Sequence, residues 1–231
     1  MFGCMPAIVG ASPGPAPPLA ITLVDAQFAQ HTGGTNNIVV GGLTGVVAGD
    51  IIVCCIGHSG GVFGVPSASG FTDIFKQQWA NNAAGSFYKV AAGGETSATM
   101  TANANNSDAK FGVAMVFRNA ASLTNHNGAN SQGSFSPRPL GSQTESDTTS
   151  MSMIFNWHNR TGTSDANISV EPVDYTLAAR ADGSALGGAY QDRILSAWYR
   201  TYDNRGAQAP EYSFTPSDFH DSWYSNSRLN A

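Results

Sequence analysis

The segment most suggestive of catalysis is GHSGG at residues 57–61, which fits the G-x-S-x-G pattern directly after the apolar run IIVCCI. In a nucleophile elbow the serine sits on a tight turn between a strand and a helix, and the start of that helix helps to form the oxyanion hole. The residues that follow, GVFGVPSASG, are small turn-formers and a proline, which do not favour a long helix. A serine hydrolase at Ser59 is kept as an alternative, and the prediction is that the chain is not an enzyme.

Two histidines occupy matching ends of two similar segments. His58 follows DIIVCCIG and His158 follows SMSMIFNW, so the pair could mark a shared metal or proton-transfer site. In the sequence, no second histidine or carboxylate stands at short ligand spacing from either one. We therefore predict that both are structural and that the chain holds no metal.

Several acidic residues of the second half fall in predicted loops, where some could meet as a calcium site or as a general acid and base. The sequence has no D-x-[DN]-x-[DN]-G loop, and spacing alone does not show that they converge. Solvated surface positions are the simpler interpretation, and no cofactor is predicted. These residues are Asp165, Glu171, Asp174, Asp182 and Asp192.

Aromatic residues cluster in the second half, where most of them are expected to fill a core. Exposed members could instead stack on sugars or anchor a partner. The candidate glycan contacts are Trp79, Trp157 and Tyr202. A carbohydrate-binding adhesion module, with a host-surface glycan as partner, is therefore an alternative function.

Residues 1–19 predict an extended, proline-rich arm, because each proline fixes φ and removes a backbone donor. The segment is apolar but lacks a basic start, so we expect neither a secretion signal nor membrane insertion. Its apolar side chains are too few to nucleate a core and could dock on a partner. They are Phe2, Met5, Ile8 and Val9.

The composition favours short strands over helices. Only 12% of residues are charged, the chain has 26 Gly, and it lacks helical periodicity. Turn signals separate candidate strands at residues 20–28, 37–40, 50–56, 72–77, 86–90, 97–102 and 110–117. The predicted class is all-β, of the sandwich type.

Charge and cysteine usage exclude other classes. The net charge is −5, and the 11 basic residues are scattered, so a nucleic-acid partner is not expected. Cys54 and Cys55 would point to opposite faces of one strand as buried free thiols. Cys4 has no partner at a typical ligand spacing, so no disulfide or zinc framework is predicted.

An internal repeat organises the chain. Segments DIIVCCIGH, GFTDI, SFYKV, TSATMT and KFGVAMVFRNA of the first half recur in the same order as SMSMIFNWH, DYTLA, AWYR, EYSFT and DSWYSNSRLNA. The aromatic-aromatic-cation run at residues 87–89 matches residues 198–200, and Phe71 matches Tyr175. We predict an arm at 1–19 and two diverged, jelly-roll-like β-sandwich units at 20–124 and 125–231, the second beginning with a linker. Whether the units share one core stays open.

The segments AGDIIV, GFTDI, SFYKVAAGGE, VFRNA and the terminal DSWYSNSRLNA resemble structural proteins of tailed bacteriophages, of a Gly/Ala/Thr-rich β type. The likeness covers most of residues 35–231. The chain departs from the pattern in its proline-rich arm and at Asp174, which stands where the first half has a glycine. The resemblance implies a virion component and supplies no catalytic residues.

The expected function is therefore that of a non-enzymatic virion subunit, assembled in the host cytoplasm. It would dock as a repeated module in a tail, fibre or baseplate, or decorate a capsid. Its expected partners are other virion proteins and further copies of itself.

Overall fold

The computed structural model describes residues 19–59, 64–79, 81–103, 108–133, 138–140, 143–145, 149–160, 167–187, 190, 193–201, 206–208, 211–215 and 220–231. Across these residues the regular structure is β, apart from one short 3-10 helix at Gly183–Leu186. The predicted all-β class is confirmed. A helix long and apolar enough to cross a membrane does not occur in the ranges just given.

The first half forms a five-stranded antiparallel sheet, here called the N-terminal sheet, in the order β1-β7-β3-β5-β4. A separate ribbon pairs β2 with β6, so the chain leaves the five-stranded sheet twice to form a second layer. The strands are β1 (Thr22–Thr32), β2 (Asn37–Gly41), β3 (Ile51–Ser59), β4 (Thr72–Trp79), β5 (Asn82–Val90), β6 (Ser97–Thr101) and β7 (Ala109–Arg118).

The second half repeats this order in the C-terminal sheet, β8-β17-β11-β14-β13, with β12-β16-β9 and β10-β15 outside it. In both sheets the first strand pairs with the last, and the last pairs with the central strand. The strands are β8 (Ser122–Gly133), β9 (Arg138–Pro139), β10 (Gln143–Glu145), β11 (Met151–Arg160), β12 (Asn167–Val170), β13 (Thr176–Asp182), β14 (Arg193–Thr201), β15 (Gly206–Gln208), β16 (Glu211–Thr215) and β17 (His220–Asn230).

The two five-stranded sheets pack face to face over one shared core. Alternation along β3 sends Val53 and Cys55 into that core, where they meet residues such as Phe155 of β11. The other face of β3 carries Ile52 and Cys54 into a second cluster, under the β2-β6 ribbon. Because both faces of β3 are covered, its sequence is apolar almost throughout.

Three sequence expectations can be compared directly with this fold. Cys54 and Cys55 are buried free thiols on opposite faces of β3, as predicted. Strand β8 begins at Ser122, before the boundary expected at Asn125, and is an edge strand of the C-terminal sheet. The open question of a shared core is answered, because the largest cluster draws residues from both halves.

Candidate functional site

The glycine that opens the G-x-S-x-G motif makes room for a tryptophan of the other half. A Cβ atom on Gly57 would lie 2.4 Å from Cδ2 of the Trp157 ring and 2.5 Å from its Cε3. Trp157 also contacts the ring of Phe111 at 5.0 Å between centroids. Gly57 and Trp157 are equivalent residues of the two repeats, and they touch across the shared core. The motif glycine is therefore explained by packing between the two sheets.

His58 and Ser59 do not form a catalytic pair, because successive side chains on a strand point to opposite faces. Alternation from Cys55 places Ser59 on the face toward the C-terminal sheet, and places His58 toward the β2-β6 ribbon. Both side chains are buried. Residues 64–71 after the motif contain no helix, and residues 60–63 lie outside the described part of the chain. The geometry of a nucleophile elbow is not present in the described residues.

His58 lies beside a buried lysine. Lys110 is its direct neighbour in the β3–β7 register, both residues are buried, and the Lys110 Nζ donates to the carbonyl of Asp108 at 2.9 Å. Burial and the Lys110 charge lower the pKa of His58 to about 4, while the backbone of Ala102 acts in the opposite direction. Burial also lowers the pKa of Lys110, against the opposing charge of Asp108. His58 is therefore neutral at pH 7.

His158 stands at the equivalent place in the C-terminal sheet, but its neighbour in the β11–β17 register is Ser222. Alternation from Phe155 directs His158 away from the shared core, just as His58 points away from it on the other side. The two histidines thus lie on opposite outer faces. Within the described ranges, no three histidine, cysteine or acidic residues gather as a metal site.

The two tryptophans expected at a glycan site are core residues. Trp79 is 8% exposed and Trp157 is 0% exposed, and both belong to the shared cluster. Neither indole is available to a sugar in this fold, which corrects the expectation for these two residues. Tyr202 lies outside the described residues, as do Phe2, Met5, Ile8 and Val9 of the arm.

The acidic residues of the second half act separately. Glu171 accepts from the Arg180 guanidinium at 2.5 Å and from the Trp198 Nε1 at 2.6 Å. Asp182 accepts from the backbone amide of Ser184 at the start of the short 3-10 helix. Asp174 occupies a turn at φ +65°, and Asp165 and Asp192 lie outside the described residues.

Polar side chains join the two sheets across the shared core, a feature that the sequence analysis missed. Asn82 Nδ2 donates to Asp221 Oδ2 at 2.5 Å. The Ser86 hydroxyl donates to the Ser225 hydroxyl at 2.8 Å, between two buried side chains. These bonds set the position of one sheet on the other, because a buried polar group without its partner is costly. The available signal was polar residues that share a strand face, by alternation, with core residues such as Ala84 of β5 and Trp223 of β17.

The repeat also places a matching cation–aromatic contact in each half. The Lys89 Nζ lies 5.2 Å from the ring centroid of Phe71, and the Arg200 guanidinium carbon lies 4.8 Å from that of Tyr175. These are the residues that the sequence alignment paired. The preceding turn residues match as well, because Gly70 has φ +78° and the Asp that replaces it has φ +65°.

Three of the segments singled out by the sequence resemblance, AGDIIV, SFYKVAAGGE and VFRNA, lie at strand ends of the N-terminal sheet and are joined there by polar contacts. Arg118 binds Asp50 through Nε at 3.1 Å and Nη2 at 2.9 Å. Burial alone would raise the pKa of Asp50, but the Arg118 and Val47 hydrogen bonds lower it. Glu95 accepts from the amides of the AAGG turn and from Lys89, which together lower its pKa to about 2. The motifs therefore close the ends of strands.

No family model matches the chain, and no curated protein matches it. One similar solved structure is the crystal structure of the STIV MCP, a viral major capsid protein. The identity is 9%, the alignment covers 91% of this chain and 96% of that chain, and the TM-score is 0.26. At this level of likeness nothing is carried over from that protein.

Proposed function

We propose that this chain is a non-enzymatic structural subunit of a virion, of the tailed-bacteriophage type that its sequence resembles. The observation that carries the proposal is the shared core. Two diverged copies of one β unit are fixed to each other by apolar packing and by the bonds Asn82–Asp221 and Ser86–Ser225. Such a block suits a part that must keep its shape while it is repeated in an assembly.

The residues whose types suggested catalysis or metal binding make structural contacts instead, which supports a non-enzymatic role. Gly57 packs on Trp157, His58 is a buried neutral base, and Asp50 pairs with Arg118 at a strand end. Each contributes to the framework, and the described residues offer no Ser–His pair at the motif.

The partners in this proposal are other virion proteins and further copies of the chain, and the proposed location is the virion, as a tail, fibre, baseplate or capsid-decoration module. Cofactors, nucleic acid and membrane insertion have no part in it. The arm at residues 1–19 would add contacts whose ordering cost is met only on binding.

The test is to locate the protein in particles. Antibodies raised against the purified chain should bind purified virions in immunogold electron microscopy, and peptides of the chain should appear in the mass spectrum of those virions at a stoichiometry of many copies. Particles that lack the protein, while infected cells contain it, would contradict the proposal. The position of the gold on head or tail would choose between decoration and tail modules.

Two alternatives are weaker after the fold is known. The glycan-binding module retains only Tyr202 among its expected contacts, because Trp79 and Trp157 are buried. The hydrolase requires Ser59 to leave a buried position on the shared core. A serine-directed phosphonate that labels the protein, but not its Ser59→Ala variant, would restore it.

A further inference from the structure

The two five-stranded sheets end in four edge strands among the described residues, namely β1 and β4 on one sheet and β8 and β13 on the other. An edge strand presents unpaired backbone N–H and C=O groups that can accept another strand. Proteins commonly block such edges with charged side chains, bulges or covering loops. The four edges differ in this protection.

Two edges carry charge along the strand. In β4, Lys76 and Asp73 form an ion pair at 2.6 Å. In β13, Arg180 binds Glu171, and the strand is also bulged between Leu177 and Ala179. Charged groups at these positions would have to be desolvated if a further strand were added.

Strand β1 is bound by the segment around β2. The Asp25 carboxylate accepts from both the amide and the hydroxyl of Thr44, at 2.7 and 3.1 Å. At the other end of the strand, the His31 Nε2 lies 3.0 Å from the carbonyl of Asn37, with which it shares a hydrogen bond. A bulge between Leu23 and Asp25 interrupts its regular edge.

Among the described residues, strand β8 carries a bulge near Thr124 but has no comparable protection over residues 127–133. Its 12 residues, SLTNHNGANSQG, include no Lys, Arg, Asp, Glu or Pro. The register with β17 is interrupted near Thr124 and then runs regularly over residues 127–133. In the part of the chain that the structure describes, its only neighbour in the sheet is β17.

The inner side of β8 is nevertheless firmly held. Asn130 accepts from the Gln77 side chain at 3.0 Å, and a Cβ atom on Gly128 would lie 2.2 Å from the ring of Phe75. This anchoring to β4 keeps the strand in place, while Asn127, on the opposite face by alternation, is exposed. A rigid strand with an open edge pays little ordering cost when another strand is added.

We propose that β8 pairs antiparallel with β8 of a second copy of this chain, across a twofold axis, so that two C-terminal sheets join into one continuous sheet. A second copy fits this edge because residues 127–133 carry no ionisable side chain, so the stretch meets no like charge when it pairs with itself. Amide and hydroxyl side chains are both donors and acceptors, so they can pair with their own kind. The inference concerns the isolated chain and does not depend on the virion role.

The experiment is sedimentation equilibrium of the full chain, over a wide range of concentration, with two matched variants. Asn127→Lys places a charge on the exposed part of β8, and Gln78→Lys places the same charge on the exposed part of β4. We expect the wild type and Gln78→Lys to dimerise with the same dissociation constant. Asn127→Lys should raise that constant by at least about tenfold, because one added charge in each copy must be desolvated when the two strands pair.

Hydrogen exchange on the wild type gives a second readout. Those amides of residues 127–133 that point away from β17 should become more protected as concentration rises, while those of β4 should not change. If Asn127→Lys fails to fold, Ala129→Lys on the same face takes its place. A wild type that stays monomeric, a dimer that survives the β8 charge, or equal loss of the dimer in both variants would each overturn the proposal.

Discussion

The residue just before each central strand, β3 or β11, binds an arginine through a different chemical group in the two halves. Asp50 precedes β3 and forms a bidentate ion pair with Arg118 at the end of the last strand of its half. Ser150 precedes β11, and its hydroxyl accepts from Arg228 through Nε at 3.1 Å and Nη2 at 2.9 Å. An arginine partner recurs, although from a different position, because the repeat aligns Arg118 with Leu229, and the group that it binds changes from carboxylate to hydroxyl. The repeat therefore preserves which strands meet, while the chemistry of the contact drifts.

The opposite ends of the same strands show a second difference. His58 is paired in register with buried Lys110, whereas His158 is paired with Ser222. The N-terminal half thus buries a lysine next to its histidine, and the C-terminal half does not. In the first half, the Lys110 charge adds to burial in lowering the pKa of His58.

The largest expected effect comes from breaking the contact between equivalent residues Gly57 and Trp157. Gly57→Ala should lower the free energy of unfolding by about 3 kcal/mol or more, because the new Cβ overlaps three ring atoms. Gly41→Ala is the matched control, since nothing lies within 4 Å of its Cβ position, and it should cost less than about 0.5 kcal/mol. Urea denaturation measures both.

The double variant Gly57→Ala, Trp157→Leu should recover part of that loss, because the smaller side chain relieves the overlap. Additive losses in the double variant would show that the two residues do not interact as the fold requires.

The next effect concerns pH. The pKa of His58 is about 4 in the folded chain and about 6.5 when unfolded, so the unfolded state binds the proton first. Stability should be complete above about pH 6.5 and should fall as the pH drops toward 4, by up to about 3 kcal/mol from this group. The lowered pKa values of Asp50 and Glu95 add acid sensitivity mainly below that window.

Thermal unfolding of the wild type and of His58→Gln between pH 7 and 4 measures this contribution. The variant should lose most of the slope between pH 6.5 and 4, even if it is less stable at pH 7. An unchanged slope would assign the acid sensitivity to other groups.

A smaller loss is expected when the first half is given the partner found in the second. Asp50→Ser should cost about 2 kcal/mol, because the charge-assisted bonds to Arg118 and the bond from the Val47 amide are weakened together. Ser150→Ala, which removes the hydroxyl partner of Arg228, should cost about 1 kcal/mol. Similar losses in the two variants would contradict the ranking.

The smallest expected loss of stability concerns Gly70, the turn residue that precedes Phe71. Gly70→Ala should cost about 1 kcal/mol, since φ is +78° and its Cβ position is otherwise open. Gly70→Asn should cost less, because asparagine tolerates this region as the Asp at 174 does in the second half. Equal stability of both variants and the wild type would remove the conformational argument.

The order of the repeated segments could be read from the sequence, because aromatic and cationic residue types recur, Phe71 with Tyr175 and Lys89 with Arg200. The order of the strands in each sheet and the contacts between these side chains came from the structure. The sequence did not show which strands pack against each other across the shared core. A strand buried on both faces, such as β3, does not indicate which face meets which sheet.

That gap explains the error on the tryptophans. Trp79 and Trp157 follow polar residues near strand ends, where exposure is a fair expectation, but the face-to-face packing of the sheets covers both. Gly57 was the residue that could have indicated this packing, because a glycine inside a strand can mark the close approach of a bulky group.

Native-state hydrogen exchange of the Gly57→Ala variant tests most directly whether the two halves form one structure over a shared core. The substitution lies in β3, yet we predict that amides of β3 and β11 lose the same free energy of protection and exchange through one cooperative opening. Loss confined to β3 and its neighbours, with β11 protected as in the wild type, would show that the halves are independent.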